Sequence, residues 1–239
     1  MIETIQALDI SFFKLVNGFA GTNEHLDRIT LFIANNYLIK GIPFWMLWWS
    51  FWFSRDSDRV QVRAKLLAMM AISIVAILVG RLLSAVLPYR LRPMHDPAVE
   101  SILPINIDPL TLNQWSSMPS DTSVLFFSFA TSIFLLNRRL GALMMVYTAL
   151  FICLPRVYAG FHFPSDIIVG TAIGILISLT LMKPLSRLVL RLRLLTLEDH
   201  YPALFYPLVF LISLESATMF DSARAFVAEA YKFAKFVMI

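Results

Sequence analysis

Apolar runs of about 20 residues recur from near the start of this chain to near its end, and a run of that length crosses the hydrocarbon core of a bilayer as one helix. Hydrophobic residues make up 58% of the 239 and charged residues only 15%, far from the roughly 45–50% and about 25% of soluble domains. The pattern predicts an all-α, polytopic membrane protein, a single integral membrane domain over residues 1–239, and not a soluble domain on one anchor. About six transmembrane helices are expected, at roughly 29–53, 66–87, 120–136, 140–154, 165–182 and 201–219.

The ends differ from these runs. Glu3, Asp9 and Lys14 interrupt the first stretch, so it lacks the apolar core of a signal peptide. Ile5, Leu8, Phe12, Leu15 and Phe19 share one face, which predicts an amphipathic N-terminal helix lying in the membrane interface. The tail after Asp221 has a similar face in Phe226, Ala230, Phe233 and Val237. The aromatic stretch 44–53 reads as an interfacial belt with lipid-facing packing. Lys40 and the Asn35-Asn36 pair either face the bundle interior or mark a later start for the first span. Cys153 is the only cysteine and reads as a packing residue, so an internal disulfide and a cysteine metal cluster are both excluded.

Basic residues set the orientation. Arg55, Arg59, Arg63 and Lys65 follow the first span, Arg138 and Arg139 the third, and Lys183, Arg187, Arg191 and Arg193 the fifth. The positive-inside rule makes these connections cytoplasmic and turns segments 88–119 and 155–164 outward, with both termini. Topology therefore accounts for the formal charge of +4 without a nucleic-acid partner. It does not account for Arg90 and Arg92, which fall on the outer side.

Polar residues gather at the outward helix ends in 88–97, 118–122 and 155–166, which a bundle brings to one face. The set suits a phosphoryl group. Arginines make bidentate, charge-assisted bonds to phosphate oxygens. Ser120 opens a helix whose free N–H groups favour an anion. His162 is a competent nucleophile towards phosphorus. Asp166, in the first turn of the next helix, is placed to accept the other imidazole N–H and fix the tautomer.

Arg156-x5-His162-x3-Asp166 resembles the third signature of the type-2 phosphatidic acid phosphatase superfamily; Arg92-Pro93 resembles the end of its first signature and Pro119-Ser120 the start of its second. The resemblance covers about residues 80–174. It implies a phosphohistidine at His162, orientation by Asp166, and phosphate binding by Arg92, Ser120 and Arg156. The family's first-signature lysine is Ala85 here, with Arg81 and Arg90 as candidate substitutes, and the leading serine of the third signature is Pro155. The second signature's general-acid histidine is Thr122, which supplies a proton poorly at neutral pH. Three readings follow: His95 or Asp121 stands in, the leaving group is a phosphate needing little protonation, or the site binds lipid phosphate without turnover.

The leading expectation is a metal-independent lipid phosphatase or phosphotransferase acting on a lipid phosphate or diphosphate, first of all an isoprenoid such as undecaprenyl diphosphate, at the extracytoplasmic face. The resemblance implies a bacterial inner membrane. The alternative is a non-catalytic lipid-phosphate binding or transport protein on the same scaffold. No glycine-rich nucleotide loop or metal-ligand cluster is present in the sequence, so no cofactor is expected.

Overall fold

The computed structural model describes residues 2–55, 58–222 and 229, and all the regular structure there is helical. The amphipathic face expected after Asp221 lies outside the described residues. The main helices are α1 Ile2–Asn17, α2 Glu24–Asn35, α3 Tyr37–Trp52, α4 Arg59–Val86 and α5 Asp121–Phe134. They are followed by α6 Arg138–Tyr147, α7 Leu154–Tyr158, α8 Pro164–Arg191, α9 Thr196–His200 and α10 Pro202–Ala217.

Among the described residues three helical runs are long and apolar enough to cross a membrane: Arg59–Val86, Arg138–Tyr158 and Pro164–Arg191. At 1.5 Å per residue α4 and α8 extend roughly 42 Å, beyond the ~30 Å hydrocarbon core. The shorter apolar helices α5 and α10 complete the apolar set. The expected fourth span is the continuous run Arg138–Tyr158, whose middle, Thr148–Cys153, is a π turn. Pro155 follows after Leu154; its ring lacks an N–H and crowds the preceding turn, and the looser π turn accommodates it.

Helix α5 sits in the middle. Residues Thr122 to Ile133 are all buried, as expected of a helix surrounded by protein on every side, and it packs against α4, α6 and α8. Close approach to α8 depends on Gly170 and Gly174. A Cβ on Gly174 would lie 2.3 Å from the Val124 carbonyl, and one on Gly170 would lie 2.7 Å from the Ser120 carbonyl. The small-xxx-small spacing on α8 is thus the α5–α8 seam.

Two expectations need correction. The first apolar stretch is not one helix: Asn36 ends α2 and caps α3, its side-chain oxygen accepting the Leu38 and Ile39 N–H groups at 2.9 and 3.2 Å. The aromatic stretch is not mainly a lipid-facing belt either. Phe44, Trp45, Trp48 and Trp52 are buried, with Phe44 and Trp45 against Phe129 and the Trp48 indole N–H donating to the Leu66 carbonyl at 2.9 Å. Their spacing puts them on one face of α3, and that face looks into the bundle.

Arg63 meets Trp52 and Glu198 at one end of the bundle, while Gly80 meets Asp121 and Ser120 meets Asp166 at the other, which carries the polar clusters. At the basic end Arg63 pairs with Glu198 at 2.6 Å, joining α4 to α9. At the polar end α1 and α2 strap the loops. Asn17 exchanges bonds with Ile102, and Asp27 accepts from the Gly21 and Ile105 N–H groups and the Tyr158 hydroxyl. Leu8, Phe12 and Leu15 on α1 and Phe19 in the turn after it are exposed, while Phe13 and Asp9 are buried.

Candidate active site

The site grows from two helix starts held together. Asp166 lies in the first turn of α8, and its Oδ2 reaches back to accept the Phe163 N–H at 2.7 Å. Ser120 caps α5, its Oγ accepting the Ser123 N–H at 3.4 Å, and its own N–H donates to the Asp166 carbonyl at 3.2 Å. This bond locks the second polar cluster onto the third.

His162 sits between the helix starts and is buried. Its Nδ1 lies 2.8 Å from the Ser117 carbonyl and 3.7 Å from Asp166 Oδ2. A carbonyl only accepts, so Nδ1 carries the proton and Nε2 keeps its lone pair. The sequence reading gave this N–H to Asp166; the close acceptor is the Ser117 carbonyl, with the carboxylate standing behind it. Burial pushes the imidazole down to about 4, the neighbouring Arg92 and Arg156 charges adding to the effect and Asp166 opposing it. The ring is neutral, and so nucleophilic, throughout the neutral range.

Arg92 is held flat by backbone carbonyls. Its Nε donates to Trp115 at 3.1 Å, Nη1 to Phe161 at 2.7 Å and Nη2 to Ser116 at 3.2 Å. Nη1 also lies 3.4 Å from His162 Nε2. Burial lowers this guanidinium to about 10, which leaves it charged at neutral pH. Arg156 lines the same space with its guanidinium carbon 5.4 Å from the centre of the Phe161 ring. Its Nε is buried with no hydrogen-bond partner among the described residues. A buried donor left unmade costs about 1–3 kcal/mol, and an anion in the cavity is the partner that would remove this cost.

The cavity measures about 300 Å³. Lys40, Arg81, Arg92, Arg156 and His162 line it, with Asp121, Thr122, Pro119 and Asp221. The four cationic side chains outnumber the carboxylates, so the space suits an anion of high charge.

Not every candidate meets there. Ser120 is fully buried as a cap and does not line the cavity. Arg90 turns away: it pairs with Asp166 Oδ1 at 2.6 Å and Asp9 Oδ2 at 2.7 Å, and stacks over the Phe163 ring. Its guanidinium is thus engaged by two carboxylates and does not line the cavity. His95 Nε2 meets the Thr111 carbonyl at 3.0 Å, outside the cavity. Asp121 does line the cavity but is paired with Arg81 at 3.1 Å, and a carboxylate held in an ion pair accepts protons' hydrogen bonds rather than donating one. Thr122 lines the cavity, its Oγ1 3.4 Å from Asp121 Oδ1.

Sequence reasoning missed Asp9 and Ser117. Asp9 is buried on α1 and accepts from the Ser165 N–H at 2.8 Å, the Ser165 hydroxyl at 2.6 Å and Arg90. The available signal was an acid set between Leu8 and Ile10 on the amphipathic first helix. Ser117 acts through its carbonyl, which carries no side-chain signal.

Residues 64–188, just over half of the chain, match the model of the PAP2 superfamily. Among curated proteins the chain is 27% identical over 173 residues to the bacitracin transport permease protein BcrC of Bacillus licheniformis, covering 72% of this chain and 78% of that protein. It is 22% identical over 191 residues to the undecaprenyl-diphosphatase BcrC of Bacillus subtilis (strain 168), covering 77% and 91%. Among solved structures, the crystal structure of Aquifex aeolicus LpxE aligns with a TM-score of 0.49 at 26% identity, covering 74% of this chain and 95% of that one.

Proposed function

The chain belongs to the PAP2 superfamily and is a membrane lipid phosphatase, and we propose that it hydrolyses an isoprenoid lipid diphosphate through a phosphohistidine on His162. The observation that carries this reading is the neutral His162 with Nε2 beside Arg92, in a cavity whose cations include Arg156, its buried Nε without a hydrogen-bond partner among the described residues. His162 Nε2 attacks the terminal phosphorus, and the bond to the bridging oxygen breaks. That oxygen keeps the electron pair and leaves as part of a lipid monophosphate. Water then attacks the phosphohistidine, the N–P bond breaks, and orthophosphate departs with both protons of the water. Arg92 and Arg156 stabilise the charge on the transferred group, so the reaction is proposed to need no metal.

A phosphate leaving group explains Thr122, because it departs as a stable anion without a donated proton. The name of the Bacillus subtilis relative supports the same substrate class. The site is proposed to face the periplasm or exterior of a bacterial inner membrane, with α3, α5 and α10 completing six spans, α1 lying in the interface, and residues 80–174 forming the catalytic core of one domain. Lipid transport without turnover is the second reading; Thr122 favours it.

Phosphate release from purified protein tests the proposal. A polyprenyl diphosphate is expected to react at least about 10²-fold faster than phosphatidate, whose alkoxide leaving group lacks the acid worth roughly 10²–10⁴-fold. No release from either by folded protein overturns the hydrolase reading.

Asp9 is proposed as a positioning residue through Arg90 and Asp166. Asp9→Asn is expected to lower kcat about 10- to 100-fold with little change in KM, the signature of a misplaced catalytic group. A rise in KM alone contradicts this.

A further inference from the structure

Resting on the diphosphate reading above, we propose that Lys40 and Arg81 form a second phosphate subsite, for the inner, lipid-bearing phosphate, and that Lys40 selects diphosphates over monophosphates. Lys40 lies outside the family-matched residues 64–188, so no signature of the family assigns it a role. It is 3% exposed and lines the same cavity as His162. It sits in the first turn of α3, where side chains lean towards the helix start, and here that is the site end of the bundle. Its ammonium lies 4.4 Å from the centre of the Tyr37 ring, and none of the ion pairs among the described residues includes it.

An ammonium inside an apolar bundle costs several kcal/mol unless an anion meets it. Arg81 stands beside the same space, 5.5 Å from the centre of the Trp115 ring, and its Nε is likewise buried without a partner among the described residues. Asp121 neutralises Arg81 in part, which leaves Lys40 the freer charge. Arg92 and Arg156 already surround the group that His162 attacks, so these two further cations match a second phosphate. They also stand where the leaving phosphate gathers charge as the bridging bond breaks, which is where stabilisation counts most. The lysine lacking at position 85 is thereby replaced from another helix.

Wild type, Lys40→Gln and Lys40→Arg separate this subsite from general charge. Lys40→Gln is expected to raise KM for a polyprenyl diphosphate by about 10- to 100-fold, the loss of one charge-assisted bond. It should leave the inhibition constant of phosphatidate within about twofold, and Lys40→Arg should restore most of the affinity. Equal weakening of both lipids, or of neither, overturns the subsite. A second arm needs no turnover: inorganic pyrophosphate is expected to raise the thermal midpoint of wild type above the value in orthophosphate, a difference lost in Lys40→Gln. A difference that persists in the variant overturns the proposal. A wild type that shows the difference but releases no phosphate removes the hydrolase reading and leaves the subsite standing. If Lys40→Gln does not fold, Lys40→Met, which keeps the bulk of the stem, carries the same comparisons.

Discussion

His162→Ala is expected to lower phosphate release from a lipid diphosphate by on the order of 10⁴–10⁶-fold, the scale on which loss of a covalent nucleophile acts. The other candidate residues of the site are poorly placed to take over the attack. Arg92 and Arg156 have no lone pair to offer, Asp121 is paired with Arg81, and His95 is bonded to Thr111 outside the cavity. KM is expected to change far less than kcat, because Arg92 and Arg156, the proposed phosphate ligands, remain. Arg92 keeps its three carbonyl partners without the imidazole. Steady-state kinetics with wild type and variant side by side check this, with thermal unfolding as the control for folding. A loss below about tenfold would mean that His162 binds or positions and that the nucleophile is water.

Thr122→His is expected to raise turnover of phosphatidate by about 10²-fold or more, while the lipid diphosphate changes within a few fold. The asymmetry follows from the leaving groups. An alkoxide must be protonated as it departs, and a positioned acid is worth roughly 10²–10⁴-fold there, whereas a phosphate leaves unaided. The structure can receive the imidazole. Position 122 faces the cavity, and Asp121 Oδ1 stands 3.4 Å from the present hydroxyl as an acceptor for a ring N–H. Met219, whose sulfur is 3.7 Å from the same hydroxyl, is a flexible neighbour able to shift. Phosphate release from phosphatidate by the two proteins measures the gain. No gain, from a folded variant, would mean that position 122 does not point at the leaving oxygen.

The catalytic-like group was legible because it is local. Arg156 on α7, His162 in the loop after it and Asp166 in the first turn of α8 span eleven residues, so their spacing alone brings them near each other, and Pro119-Ser120 joins them through the Ser120–Asp166 backbone bond. The two loop arginines were not separable. Arg90 and Arg92 have the same chemistry two residues apart, and only the position of Asp9, on a distant helix, decides that Arg90 serves Asp166 and Arg92 faces the cavity. Ser120 was given to phosphate because a helix start attracts anions; its hydroxyl is consumed by capping that same helix.

The fold reads similarly. The helical class and the long runs of α4 and α8 follow from uninterrupted hydrophobicity, but α8 continues to Arg191, beyond the expected end near 182. Basic residues there continue the helix past the apolar stretch, and hydropathy sees only the part in lipid. Lys40 and the Asn35-Asn36 pair left two readings open, and both describe part of the outcome: Asn36 begins a new helix, and Lys40 faces inward. The buried tryptophans went astray because abundance suggested a belt, while the spacing of 45, 48 and 52 marked an inward face.

The most direct test of the account is to trap the covalent intermediate. Purified protein is mixed with a polyprenyl diphosphate radiolabelled in its terminal phosphate and quenched in alkali, where a phosphohistidine survives, then digested and mapped. The account predicts label on the peptide carrying His162, appearing before free phosphate reaches its steady rate and absent from His162→Ala. Steady release of labelled phosphate with no label on the protein at any time, at a turnover that product release does not limit, would contradict it.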